Sequence, residues 1–65
     1  MSVIINGEEV DAAGKALSDY LRDGGYDVRR VAVELNGEIV LKTKYESTRL
    51  QDGDKVEIVS FVGGG

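Results

Sequence analysis

Residues 55–65 read KVEIVSFVGGG, a run that alternates as a half-buried strand does and then ends in three glycines. Successive side chains of a strand point to opposite faces. Val56, Ile58 and Ser60 therefore share one face, and Glu57, Val59 and Phe61 share the other. The first set suits a core. The second leaves two apolar groups that need a cover from elsewhere. Where this strand, residues 55–61, sits among its neighbours decides the fold.

Upstream, SVIIN (2–6) is a short β-rich run, and Asn6-Gly7 tolerates the positive φ angles of a tight hairpin turn. EEVDA (8–12) then returns as a second strand. Over residues 15–23 the period changes: Ala16, Leu17, Tyr20 and Leu21 fall on one helical face, with Ser18, Asp19, Arg22 and Asp23 on the other. Gly24-Gly25 ends this helix, and Tyr26 is placed to fold back as the apolar contact that accompanies such a stop. Its beginning has no strong capping side chain, because Gly14-Lys15 stands there.

VAVELNGEIV (31–40) is a second hairpin about Asn36-Gly37, with Val31, Val33 and Leu35 on one face. LKTKYESTRL (41–50) is polar apart from isolated apolar residues, and reads as a long connection anchored by Tyr45 and Leu50. Asp52-Gly53-Asp54 makes a further turn before the last strand. The order is hairpin, helix, hairpin, connection, strand. An α+β mixed sheet with one helix packed on one face buries these stripes most simply. If the last strand lies parallel beside the first, in the middle of the sheet, the arrangement is the β-grasp of ubiquitin and its relatives. Residues 1–62 then form the domain and 63–65 a flexible glycine tail.

Composition limits what such a module can do. The 65 residues suffice for one small core and are too few for a second domain or a deep active site. Eight Lys and Arg against twelve Asp and Glu give a net charge of -4, which offers nucleic acid little to bind. There is no histidine and no cysteine, which removes disulfides, thiolate and imidazole metal sites, thiol nucleophiles and the commonest general base. The expectation is a protein without catalytic residues, metal or membrane span, cytoplasmic and monomeric when free.

Other candidate sites read as ordinary structure. The spaced acids of DGDKVE (52–57) lack the ligand spacing of a calcium loop and suit a turn. Glu8-Glu9 and Arg29-Arg30 are expected to alternate across strand faces as solvated positions. Tyr20, Tyr26 and Tyr45 read as core or edge packing, since no basic groove accompanies them. The glycines at the end can be a frayed terminus. A strip without side chains is also thin enough to thread a narrow channel, and four residues past Phe61 extend roughly 13 Å.

RRVAVELNGEIV (29–40), DGDKVEIVSFVGGG (52–65) and IINGEEV (4–10) together resemble the sulfur carriers of thiamine biosynthesis, the ThiS family, over essentially the whole chain. Two departures are Leu41, where many relatives have proline, and the stretch AAGKAL (12–17), which lacks the Thr or Ser often found before the helix. The resemblance implies that an E1-like adenylyltransferase uses ATP to activate the Gly65 carboxylate as an acyl-adenylate. Sulfur from a cysteine desulfurase or another persulfide donor then replaces AMP, and the Gly65 thiocarboxylate serves thiazole synthase. In that scheme Val62, Gly63 and Gly64 line the partner's channel, and Glu57, Val59 and Phe61 belong to the docking face. No cofactor is bound to the carrier itself. Two other carriers of this shape remain as alternatives: a small subunit of molybdopterin synthase, and a ubiquitin-like modifier conjugated through Gly65.

Overall fold

A computed structural model describes residues 2–61. Five strands form one sheet: β1 (Val3–Ile5), β2 (Glu8–Val10), β3 (Val31–Leu35), β4 (Glu38–Ile39) and β5 (Lys55–Ser60). Their order across the sheet is β2-β1-β5-β3-β4. β5 runs parallel to β1, with Ile5 beside Val56, and antiparallel to β3, with Val33 opposite Ile58. The last strand thus occupies the centre, as the β-grasp expectation requires. A single α-helix, α1 (Leu17–Asp23), supplies the second layer. Among the described residues, no helix is long and apolar enough to cross a membrane.

The core lies between α1 and the sheet. Val3 and Ile5 of β1, Val31 and Val33 of β3, and Val56 and Ile58 of β5 meet Leu17 and Leu21 of the helix, with Ala12, Tyr45 and Leu50 filling in from the loops. Ser60, expected on this face, is exposed. The core ends on β5 at Ile58, and a hydroxyl carries a desolvation cost that an alkyl group does not, so the last rung stays open to water. β2 also stops earlier than expected. The Ala12 amide donates to the Val10 carbonyl at 2.9 Å, a tight turn that takes Ala12 out of the ladder and into the core.

Both Asn-Gly turns form as read: Asn6 and Asn36 adopt φ of 49° and 51°, and the glycines that follow are also at positive φ. The two asparagines do more than turn the chain. Asn6 Oδ1 accepts from the Ile58 amide at 2.7 Å, and Asn6 Nδ2 donates to the Ile58 carbonyl at 3.2 Å. This side-chain amide imitates a peptide group and prolongs the short β1–β5 pairing. Asn36 Oδ1 accepts from the Lys55 amide at 2.9 Å, at the other end of β5.

α1 begins two residues later than expected, because residues 15–17 are paired with the connection instead. The Leu50 amide donates to the Lys15 carbonyl, and Ala16 bridges to Arg49. Ala16, at the N-cap, offers no side-chain bond. The first helical amides, Leu17 and Ser18, donate to the Thr48 and Tyr45 carbonyls at 2.8 and 3.1 Å. Helix N-termini leave such donors without partners inside the helix, and here backbone from a distant loop takes the place of a capping side chain. The C-terminus closes as read. The Tyr26 amide donates to the Leu21 carbonyl and the Gly25 amide to the Arg22 carbonyl, with Gly25 at φ 80°. Arg29 and Arg30 lie on a 3-10 turn, Val28–Arg30, and not on a strand, because the Asp27 carboxylate accepts the Arg29 amide and caps that turn. Asp52 and Asp54 act as turn residues, accepting the Ser2 and Gln51 amides.

Asn6→Gly keeps the freedom to adopt positive φ and removes both bonds to Ile58. It should therefore lower the unfolding free energy by about 1–3 kcal/mol, the net worth of two part-buried hydrogen bonds. Equilibrium urea unfolding measures this, and an unchanged midpoint would mean that Asn6 serves only the turn.

Candidate functional site

The helix covers one face of the sheet and leaves the other open. On β5 that open face carries Glu57, Val59 and Phe61, all three exposed, as the alternation of the strand implied. Val59 is 55% and Phe61 60% accessible, too high for either to be core. The face extends beyond β5. Ala32 stands opposite Val59, Glu34 opposite Glu57, and Ile39 of β4 opposite Glu34. Ile39 and Leu41 are as exposed as Phe61. Ala32, Ile39, Leu41, Lys42, Tyr45 and Phe61 line a shallow cleft of about 310 Å³.

Ile39 and Leu41 were missing from the docking residues read off the sequence. A signal for Ile39 was present. A two-residue turn at Asn36-Gly37 pairs Leu35 with Glu38 and Glu34 with Ile39, and once Val33 and Leu35 face the core, Ile39 has to share the outer face with Glu34. Leu41 carries no such signal, since it lies past the end of the strand.

An apolar patch is flanked by two glutamates that meet directly across the β3–β5 ladder, an unfavourable placement of like charges. Among the described residues, no three His, Cys, Asp or Glu side chains gather as a metal site. The phenol of Tyr45 is pushed above its ordinary pKa by burial in the core. Lys15 and Asp23, 2.9 Å apart on the far side, hold each other charged, the lysine raised and the carboxyl lowered, and lie away from the open face.

Phe61 is the last described residue. Its amide donates to the Arg30 carbonyl at 2.6 Å and continues the β3–β5 ladder one position past Ser60. Val62, Gly63, Gly64 and Gly65, the residues expected to thread a partner's channel and to carry the chemistry, lie outside the described residues.

The ThiS family profile matches residues 3–65. The chain is 40% identical over 63 residues to the sulfur carrier protein ThiS of Thermus thermophilus, covering 97% of this chain and 98% of that protein. It is 48% identical over 66 residues to a thiazole synthase of Paramagnetospirillum magneticum, covering all of this chain. It spans only about a fifth of the length of that protein and of a second thiazole synthase that it matches. A crystal structure of the thiamine biosynthesis protein ThiS from Geobacter metallireducens superposes with a TM-score of 0.80 at 35% identity, covering both chains in full.

An outer-face position should tolerate truncation and a core position should not. Phe61→Ala should cost about 1 kcal/mol of stability or less, as an exposed side chain does. Ile58→Ala, on the same strand and facing the helix, should cost about 2–5 kcal/mol. Denaturant titrations of the two variants decide the matter, and comparable losses would place the Phe61 ring in the core.

Proposed function

The chain belongs to the ThiS family, and from that premise we propose that it is a sulfur carrier whose Gly65 carboxylate is the working group. The observation that supports this most is the extent of the likeness. It takes in nearly the whole of a free-standing sulfur carrier and only about a fifth of each thiazole synthase. The part shared with those larger proteins is therefore the carrier part, and thiazole synthase is the acceptor we assign to it.

In this reading the chain is a co-substrate and not an enzyme. A carboxylate is a poor acyl donor, so an E1-like adenylyltransferase consumes ATP, joins AMP to Gly65 and releases pyrophosphate. The terminal sulfur of a cysteine desulfurase persulfide, or of another persulfide donor, attacks the acyl carbon and AMP leaves. A thiol then cleaves the resulting acyl disulfide and frees the Gly65 thiocarboxylate for thiazole formation. The carrier contributes no acid or base and holds no cofactor, and the compartment assigned to it is the cytoplasm. Val62, Gly63 and Gly64 pass through the partner's channel. Glu57, Val59 and Phe61, extended by Ile39 and Leu41, dock on its outside.

With the adenylyltransferase, ATP and a persulfide donor, the intact protein should gain the mass difference between sulfur and oxygen. Deleting Gly65 shortens the reach by about 3.3 Å, and a misplacement of about 1 Å can already cost a hundredfold in rate. That variant should not gain mass, while its unfolding midpoint stays put. Phe61→Ala should raise KM for the carrier. If the Gly65-deleted chain is thiolated as fast as the full chain, the carrier reading falls. Isopeptide-linked products in place of the thiocarboxylate would show a protein modifier instead.

A further inference from the structure

Lys42 stands between the connection and the point where β5 ends. Its Nζ donates to the Val28 carbonyl at 2.8 Å and to the Val31 carbonyl at 2.6 Å, and sits 5.7 Å from the centre of the Tyr45 ring. β4 explains why the Val31 carbonyl is free to accept. It consists of Glu38 and Ile39 alone and pairs with Glu34 and Leu35. The Val40 amide still reaches the Val33 carbonyl, but the neighbouring strand has turned away by the level of Val31. The Lys42 ammonium supplies the missing rung, and the buried Tyr45 beneath it fixes the height of its stem.

The segment it holds, residues 28–31, contains the Arg30 carbonyl that accepts the Phe61 amide. A chain of contacts therefore runs from Tyr45 through Lys42 and the 3-10 turn to the last tie on β5. We propose that Lys42 is a positioning residue: it clamps residues 28–31 and, through the Arg30 carbonyl, holds Phe61 in one place for activation at Gly65. This rests on the carrier reading above. The side chain touches neither the nucleotide nor the reacting carboxylate. Its effect is to fix the position of Phe61, and orientation of this kind acts on rate more than on association.

Lys42→Met keeps the stem over Tyr45 and removes the donors, and Lys42→Arg restores donors at similar reach. In the full chain without any partner, amide hydrogen exchange at Phe61 should speed up at least tenfold in Lys42→Met relative to Glu57 and Val59, which face β3 on the same edge. Lys42→Arg should stay near wild type. With the adenylyltransferase and ATP, Lys42→Met should lower kcat at least tenfold with KM little changed, the opposite split from Phe61→Ala. Unchanged relative exchange at Phe61 overturns the clamp. Faster exchange with unchanged kcat overturns its role in the reaction, and a rise in KM alone makes Lys42 a docking residue and overturns positioning. A wild-type chain that is never adenylated overturns the carrier reading, while the exchange measurement still decides the clamp.

Discussion

Everything in this fold depends on β5 being held on both edges. A parallel pair cannot be joined by a tight turn, so β1 and β5 meet only after the intervening chain has folded. Their ladder is short, two residue pairs, Ile4 with Lys55 and Ile5 with Val56. The Asn6 amide lengthens it by bonding both backbone groups of Ile58, while Asn36 secures the Lys55 amide at the start of the strand. Two turn residues, each from a different hairpin, thus grip the same central strand. One residue type serves twice because asparagine tolerates positive φ and also carries an amide that can imitate the backbone.

The 41–50 connection has a comparable double role. Its Tyr45 and Leu50 side chains enter the core, and its Tyr45 and Thr48 carbonyls cap the helix that those side chains pack against. A seven-residue helix is far below the length that is stable alone in water. It exists because the sheet takes its Leu17 and Leu21 face and the connection takes its unpaired amides. Lys42, at the beginning of the same connection, ties it to the far end of β3.

The consequence for function is a division of the sheet into two faces with different duties. The inner face spends its apolar residues on stability. On the outer face Val59, Phe61, Ile39 and Leu41 contribute little to folding and stay open, which is the state of a surface that gains from a partner. Because β5 is central, Phe61, the last described residue, stands in the middle of the sheet beside this face. In the proposed carrier reading, a partner that covers this face lies next to the end of β5.

Much of this was legible in the sequence because it depends on local periodicity and turn chemistry. The alternation of residues 55–61 separated Val56 and Ile58 from Glu57, Val59 and Phe61, Asn6-Gly7 and Asn36-Gly37 marked both hairpins, and Gly25 with Tyr26 marked the helix stop. These signals are carried by neighbours in the chain, so no knowledge of the remaining fold is needed to read them. Tertiary structure alone decided the start of the helix at Leu17 and the second role of each asparagine. Each of these turns on a partner many residues away, whereas the 3-10 turn at Arg29 and Arg30 follows from the neighbouring Asp27. Asn6 and Ile58 are separated by 52 residues and Lys42 and Val31 by 11, and a side chain's choice among distant backbone groups is settled only when the sheet brings them within hydrogen-bonding distance.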